Sequence, residues 1–311
     1  MFKIQAITDF AFKLALFYIP ILIGYLFAKY YERFESVNKV LTKLLLNIML
    51  PILVLQTLLN APSSTVLEVP AIIIITILIH FFGIGLMLIR FRTTDTSRPK
   101  KGALLLCAGF NNGIFLPVPL ILMFIGEVGI AVVAFYSIAQ MTLITTIGPI
   151  IAAHYSGTEV EWQKQVKKAV TFPPFLTVIL GIILLFFSVS IPMELNPFLF
   201  WNGQITTYLS LFVVGIGVGS KFLLSDLRAA VEAIGVRQLL VPLLIAAILV
   251  LVNLSNVTTQ VLLLQAMMPP AVITVILSAG FDLDHETAAT AVTIGTLLLL
   301  PVIPFFPLLF S

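Results

Sequence analysis

The chain has 311 residues, of which 60% are hydrophobic and only 10% charged, and its mean hydropathy is +1.13. Soluble domains carry about 25% charged residues, so this composition excludes a soluble globular protein and indicates an integral membrane protein. The single cysteine, Cys107, excludes an intramolecular disulfide and a cysteine-based metal cluster.

Apolar runs of about 20 residues, the length that crosses a bilayer as a helix, predict an all-α protein with ten membrane spans. We expect it in the cell membrane as a multi-pass protein. The predicted spans cover residues 10–30, 37–59, 68–90, 102–125, 129–154, 171–189, 205–223, 236–254, 258–279 and 286–310.

Positive charge is distributed unevenly among the connections between these spans. Fifteen of the 17 lysines and arginines, Arg237 among them, flank the first, third, fifth or seventh connection, and only Lys3 and Lys13 lie elsewhere. Because cytoplasmic loops are enriched in lysine and arginine, we predict that the odd-numbered connections are cytoplasmic and that both termini are outside.

Polar residues within the second and third spans are candidates for a role inside the protein. Asn47 and Pro51 of NIMLPILVLQ share a helical face, and we expect this face, with Gln56, to look inward; an interhelical hydrogen bond is the simpler alternative. His80, in ILIHFFGIG, is the one titratable side chain predicted near mid-membrane. It is a candidate for proton coupling, and the simpler alternative is a neutral, hydrogen-bonded histidine. The acidic residues all fall in connections or at span ends, which disfavours antiport driven by buried aspartates.

The fourth span contains FNNGIFLPVP, residues 110–119, which cannot form a continuous helix. Pro117 and Pro119 lack an amide proton and clash with the preceding turn, and Asn111 and Asn112 come just before them. Backbone groups freed at this depth must be satisfied by protein or by a water-filled cavity, because lipid cannot do so. The sequence therefore predicts two half-helices that meet at a polar gap.

The fifth span carries several polar residues on one face. Gln140, unlike the neighbouring hydroxyl residues, has no easy hydrogen-bond partner on its own helix. We therefore expect Gln140 to face the cavity, with Tyr136 as a possible supporting residue.

The proline pattern of the fourth and fifth spans returns 152 residues later, because Pro269 of QAMMPPAVIT matches Pro117 and Pro301 matches Pro149. Each half then holds five spans, an odd number, so the second half must be inverted relative to the first. Two broken spans in corresponding positions of inverted halves indicate a transporter with its site where the breaks meet.

This symmetry divides the chain into three parts. Residues 1–154 form the first five-helix repeat, and residues 171–311 form the second. Residues 155–170 form the polar linker, whose lysines lie opposite Trp162 and Val166 and predict a short amphipathic helix on the cytoplasmic surface.

Glycines recur two residues apart in VVGIGVGS, at Gly215, Gly217 and Gly219. This spacing differs from that of a dinucleotide-binding fingerprint. It favours close packing of the seventh span against another helix.

Residues 265–301, QAMMPPAVITVILSAGFDLDHETAATAVTIGTLLLLP, resemble the C-terminal signature of the auxin efflux carrier family, which includes the plant PIN-FORMED transporters and many prokaryotic relatives. Asn112, followed seven residues later by Pro119, matches the fourth-span motif of the family. NIMLPILVLQTL and LFVVGIGVG are also similar, so the resemblance covers nearly the whole chain and identifies it as a prokaryotic member.

The resemblance implies a fold related to bile-acid symporters and NhaA-like antiporters. In that fold the broken helices 4 and 9 cross at the substrate site, and spans one, two, six and seven form a scaffold. In the plant members the crossover asparagine contacts the substrate carboxylate, which implies the same role for Asn112; Gln140 matches a polar position beside it. Pro117 stands where the family usually has glycine, and Thr274 where plant members have a second proline, so the cavity is not a copy of an auxin site. The long central loop of some plant members is absent.

We therefore expect a secondary transporter that moves a small organic anion, an auxin-like or dicarboxylate molecule, by alternating access. Half-helix N-termini at both breaks would present unpaired amides to the anion. The predicted substrate-binding residues are Asn111, Asn112, Gly113, Pro117, Pro119, Gln140, Met268, Pro269, Pro270 and Thr274, with Asn47, Gln56, His80 and Tyr136 as coupling or supporting residues.

Several alternatives remain open at this point. Transport driven by protons, by sodium or by the membrane potential alone is equally compatible with the sequence, and a sodium-coupled symporter of the bile-acid type is the nearest rival. An intramembrane enzyme would need clustered ligands or a nucleophile with a base, which His80, His154, His285 and Cys107 do not supply. We expect no cofactor, no metal and no nucleic-acid partner; a homodimer in the lipid bilayer is possible.

Overall fold

The computed structural model describes residues 2–61, 63–187, 189, 191–219 and 226–306, and within them the chain is helical without a named strand. A short helix, Ser63–Leu67, precedes α3. The labelled helices are α1 (Phe2–Tyr30), α2 (Phe34–Leu59), α3 (Val69–Arg90), α4 (Arg98–Gly109), α5 (Pro117–Phe124), α6 (Val128–Ser156), α7 (Trp162–Val170), α8 (Pro173–Phe186), α9 (Asn196–Gly219), α10 (Leu227–Leu251), α11 (Asn256–Met267), α12 (Val272–Gly280) and α13 (His285–Phe305).

Seven helices of the described residues are long and apolar enough to cross a membrane, namely α1, α2, α3, α6, α9, α10 and α13. The prediction of an all-helical, multi-pass membrane protein is thereby confirmed. The predicted sixth span corresponds to α8, which has 14 residues. The predicted fourth and ninth spans correspond to the pairs α4/α5 and α11/α12, in which the chain leaves the helix at residues 110–116 and 268–271. The last part of the predicted tenth span, residues 307–310, lies outside the described residues.

Local sequence signals set several helix ends. Asp226, Ser255 and Asp284 precede α10, α11 and α13, and the side chain of each accepts a hydrogen bond from the amide three residues later. Gly157 ends α6 in the left-handed conformation, with φ of +80°. These caps satisfy backbone groups that the helices leave unpaired.

The eighth predicted span is misplaced, because α10 begins at Leu227 and not at residue 236. Arg237 therefore does not flank a connection. It lies well inside the helix with none of its surface exposed. The seventh predicted span is displaced in the same direction, since α9 begins at Asn196.

Two of the described helices contain a π-turn, at Leu45–Met49 in α2 and at Val236–Leu240 in α10. In each case a proline, Pro51 or Pro242, follows two residues later and lacks the amide that would bond the carbonyl four residues back. A π-turn adds one residue and so rotates the following face by about 100°. Regular helical spacing therefore fails to predict which side chains point inward here.

The helices form two groups. The first group consists of α1, α2, α8 and α9, and the second contains α3 to α6 and α10 to α13. Helices α1 and α9 lie so close that a Cβ atom on Gly24 would meet the carbonyl oxygen of Phe212 at 2.1 Å, and one on Gly215 that of Ile21 at 2.1 Å. The predicted close packing of the glycine run is confirmed for Gly215.

Ion pairs and hydrogen bonds link the segments between helices to one another, and these contacts fall into two separate sets. On the face that carries most of the lysines and arginines, Lys100 Nζ lies 2.7 Å from Asp226 Oδ2 and 3.6 Å from Asp284 Oδ2, and Arg90 Nη2 lies 2.9 Å from Glu232 Oε1. The ion pair with Lys100 lowers the pKa of Asp226 below its usual value. The other set includes the hydrogen bonds from Ser255 to Glu68 and from Gln56 to Glu127.

Candidate functional site

The two helix interruptions pair with each other through their backbones. The amide of Asn112 donates to the carbonyl of Pro269 at 2.8 Å, and the amide of Ala271 donates to the carbonyl of Phe110 at 3.0 Å. These bonds flank an isolated antiparallel bridge between Asn111 and Pro270. Each break leaves backbone amides and carbonyls without a partner in its own helix, and the other break supplies that partner. Buried backbone groups need such partners because no water reaches them.

Asn111 is the centre of a buried polar network on one side of this pairing. Its Nδ2 donates to the carbonyl of Gln265 at 2.9 Å, and its Oδ1 accepts from Tyr136 Oη at 2.6 Å and from Gln140 Nε2 at 3.0 Å. Gln265 Nε2 in turn donates to the carbonyl of Gly113 at 3.0 Å. The network ties α6 and α11 to the break, and only 1% of the Asn111 surface is exposed.

Asn112 points to the other side. Its Oδ1 accepts from the amide of Phe115 at 3.1 Å, and its Nδ2 has no hydrogen-bond partner among the described residues. The residue is 9% exposed and lines a cavity. Two adjacent asparagines therefore have opposite surroundings.

The cavity has a volume of about 680 Å³ and lies between the two helix groups. Its mouth is formed by the turn between α1 and α2, where Lys29, Glu32, Glu35 and Lys39 mix both charges. Its walls are largely apolar. They include Val213 and Val214 of α9, Phe115, Val272, Val275 and Ile276 beside the breaks, and Val292 of α13.

The cavity also has polar lining that the sequence did not single out. Asn38 and Thr42 of α2 and Thr293 and Thr296 of α13 line it. Asn38 Oδ1 and Thr293 Oγ1 are buried atoms without a hydrogen-bond partner in the described part of the chain. An unsatisfied buried polar atom is costly unless a ligand or water satisfies it, so both atoms mark places where a ligand can bind.

The two half-helices that start at the breaks differ in what they offer an anion. In α5, Pro117 and Pro119 have no amide proton, and the amide of Val118 bonds the carbonyl of Ile114 at 3.0 Å. In α12, the amides of Val272 and Ile273 lie in the first turn, where no intrahelical acceptor exists. The expectation that both N-termini present unpaired amides to an anion is therefore wrong for α5, and for α12 it stays a prediction.

Most of the predicted substrate-binding residues do not line this cavity. Gln140 was expected to face it, but its Nε2 donates to the carbonyl and Oδ1 of Asn111. Thr274 Oγ1 donates to the carbonyl of Ala271 at 2.6 Å and lies 3.5 Å from Cys107 Sγ. The others that are buried away from the cavity are Asn111, Gly113, Pro117, Pro119, Met268, Pro269 and Pro270. Asn112 is the predicted residue that the described cavity includes.

The predicted supporting residues also lie elsewhere. Asn47 is exposed on the outer surface of α2, because the π-turn rotates it away from the interior, so its predicted inward face is wrong. Gln56 donates to Glu127 at 3.2 Å. His80 is fully buried, with Nδ1 2.6 Å from the carbonyl of Thr76, and Tyr136 belongs to the Asn111 network.

Arg237 is the buried charge that the sequence analysis missed. Its Nη2 donates to the carbonyl of Ala266 at 3.0 Å, and its Nη1 lies 3.4 Å from the carbonyls of Ala108 and Ile79. Ala108 and Ala266 belong to the last turns of α4 and α11. The guanidinium therefore lies at the carbonyl ends of the helices that lead into both breaks. Within the described residues, no three His, Cys, Asp or Glu side chains converge as a metal site would require.

Comparisons with known proteins find a family and relatives for this chain. A family model described as "Membrane transport protein" matches residues 11–307. An uncharacterized transporter of Methanothermobacter thermautotrophicus is 24% identical over 295 residues, covering 93% of this chain and 94% of the relative. An uncharacterized transporter of Methanocaldococcus jannaschii is 28% identical over 294 residues, covering 92% and 94%.

Proposed function

Since the chain belongs to the membrane transport protein family of auxin efflux carriers, we propose that it is a secondary transporter that moves a small organic anion by alternating access. Family membership and the long apolar helices make the chain a multi-pass membrane transport protein. The anion, the mechanism and the ten-helix arrangement of two inverted repeats are parts of the proposal.

The cavity that ends at Asn112 is the observation that carries the proposal. It runs from the charged turn between α1 and α2 to the paired helix breaks, where Asn112 Nδ2 and the first amides of α12 are available as donors. Amide donors at a helix N-terminus suit a carboxylate, since the helix dipole adds about half a positive charge there. The unpaired hydroxyl of Thr293 adds a further donor.

The apolar walls suggest what surrounds the bound carboxylate. Val213, Val214 and Val292 offer a surface for the hydrocarbon part of a substrate. Ligand sites of this size are typically apolar with a few polar groups that fix orientation. Aromatic monocarboxylates and aliphatic dicarboxylates are both candidates, and the second class would need a further donor such as the Lys39 ammonium, which also lines the cavity.

The position of the cavity between the two helix groups suggests the mechanism. Helices α1, α2 and α9 form one wall, and α12 and α13 form the other. A rigid-body movement of one group against the other would close the mouth at Lys29 and Glu32 and open the opposite side. With the odd-numbered connections in the cytoplasm, as the charge distribution predicts, the present cavity opens inward.

The proposal includes no proton coupling through His80. Proton coupling through His80 would need a proton path, and His80 has no exposed surface and does not line the cavity. Transport driven by the membrane potential needs no coupling ion, because moving one charge is worth about 2.3 kcal/mol per 100 mV.

The proposal is tested by measuring carboxylate binding to purified protein. Thermal unfolding is recorded in detergent with a panel of aromatic monocarboxylates and aliphatic dicarboxylates, and radiolabelled forms of any stabilising compound are then used for binding. We expect Asn112→Ala to remain folded and to lose this stabilisation. The control is Asn47→Ala, the same substitution on the outer surface, which should bind as the wild type does. Unchanged stabilisation in Asn112→Ala would refute the site.

A further inference from the structure

The guanidinium of Arg237 is buried without a carboxylate partner. The residue lies in the π-turn of α10 with none of its surface exposed. Among the ion pairs of the described residues, none includes Arg237. An arginine keeps its proton in proteins, and an isolated buried charge is very costly. Something other than an acid must therefore balance this charge.

Two helix ends supply the balance. Arg237 contacts the carbonyls of Ala108 and Ala266, which lie in the last turns of α4 and α11. The neighbouring Gln238 Nε2 approaches the carbonyl of Met267 at 3.5 Å. Each helix C-terminus carries about half a negative charge, so two of them together balance one guanidinium.

Carbonyl ends of broken helices are also the groups that bind a coupling cation in other transporters. Sodium requires oxygen ligands such as backbone carbonyls, and a guanidinium held by the same oxygens competes for the same place. The N-terminus of α12 faces the cavity and carries the positive end of the helix dipole. Among the described lining residues near Asn112, no aspartate or glutamate balances that positive end.

We infer that Arg237 acts as a built-in cation at the carbonyl ends of the two broken helices, in the place where a sodium-coupled carrier would hold its ion. It is a positioning residue, because it holds the two helix ends together and does not contact the cavity. This inference rests on the proposed function for its consequence, that anion transport proceeds without sodium. It also separates this protein from a sodium-coupled symporter of the bile-acid type.

The test needs no substrate, so it is independent of the Asn112 experiment. Thermal unfolding of purified protein is measured in sodium chloride, potassium chloride and choline chloride at equal ionic strength, and with millimolar guanidinium chloride. The variants are Arg237→Ala and, as the matched control, Arg228→Ala, which removes an exposed guanidinium from the same helix.

We expect the wild type and Arg228→Ala to melt at the same temperature in all three salts. Arg237→Ala should melt lower, and sodium or guanidinium should raise its midpoint by about 5 °C or more, since a ligand that binds only the folded state stabilises it. A wild type stabilised by sodium over choline and potassium would overturn the inference. So would an Arg237→Ala protein that is as stable as the wild type or that responds to no cation.

Arg237→Lys covers the case in which the alanine variant cannot be purified. Lysine keeps the charge and three donors, so this variant should fold and remain indifferent to sodium. A lysine variant that is unfolded, or that sodium stabilises, would contradict the inference. The two experiments can fail separately. If no carboxylate stabilises the protein but the salt experiment gives the expected results, the proposed substrate is wrong and the inference about Arg237 stands.

Discussion

The paired helix breaks have a closed side and an open side, and two adjacent asparagines mark them. On the closed side Asn111 donates to Gln265 and accepts from Tyr136 and Gln140, so its side chain is fully used by the protein. On the open side Asn112 bonds a single amide and faces the cavity. The same residue type thus holds the break together at one position and is available to a ligand at the next.

This difference teaches that a polar residue at a helix break is not by itself a binding residue. Freed backbone groups create a demand for internal hydrogen bonds, and Asn111, Gln140 and Gln265 meet that demand. A ligand can use only what remains after the break is satisfied. In the described cavity these remaining groups are Asn112, the start of α12, Thr293 of α13 and Asn38 of the opposite wall.

The largest effect on stability is expected at the closed side. Asn111→Ala removes the acceptor of the buried Tyr136 hydroxyl and the donor to Gln265, and unsatisfied buried groups cost about 1–3 kcal/mol each. We expect the free energy of unfolding to fall by about 3 kcal/mol and the melting midpoint in detergent to drop by roughly 5–10 °C.

Asn112→Ala is the matched control for this substitution. It leaves one amide at the cavity edge, which water can satisfy, so its midpoint should stay within about 2 °C of the wild type. Equal losses in the two variants would mean that the two sides of the break do not differ as described.

A smaller effect on stability with a large effect on binding is expected within the cavity. Gly217 of α9 lines the cavity, and a Cβ atom there would meet no atom within 4 Å. A side chain added at Gly217 therefore begins in open space, and the leucine of Gly217→Leu takes up cavity volume. We expect binding of any stabilising carboxylate to weaken at least tenfold, about 1.4 kcal/mol, with little change in melting temperature.

Gly85→Leu controls for the added side chain. Gly85 of α3 is also open to a Cβ atom and does not line the cavity, so carboxylate binding should be unaffected. Binding that survives Gly217→Leu would show that the substrate lies elsewhere in the protein.

Much of the fold was predictable because it depends on local properties. Apolar length predicted the helices, and Pro117 and Pro269, which lack amides, predicted where helices end. The contacts of Lys100 with Asp226 and Asp284 bring the third, seventh and ninth connections together. The cytoplasmic position of the odd-numbered connections stays a prediction.

The site was less predictable because it depends on which helices meet. Asn111 and Asn112 are indistinguishable in the sequence, and only the partner break decides which one is used internally. Thr293 lies among several threonines of α13, and no local pattern indicates that it lacks a partner. Arg237 was missed because α10 starts earlier than its apolar run, so a charge at the beginning of that run was interpreted as a flanking residue. The helical spacing of the apolar residues Ala230, Ala233 and Ile234 upstream of Arg237 was an available signal that the helix starts earlier.

Cysteine accessibility tests the two-sided break most directly. Native Cys107 is fully buried where α4 meets α12 and α13, with its Sγ 3.5 Å from Thr274 Oγ1. The wild type therefore supplies its own negative control, and Asn112→Cys in a Cys107→Ala background reports on the open side. We predict that a membrane-impermeant thiol reagent modifies Asn112→Cys rapidly in inside-out vesicles, that it leaves Cys107 of the wild type unmodified, and that a stabilising carboxylate slows the reaction. If Asn112→Cys resists the reagent as fully as Cys107 does, the cavity does not reach the break and the account of the site is wrong.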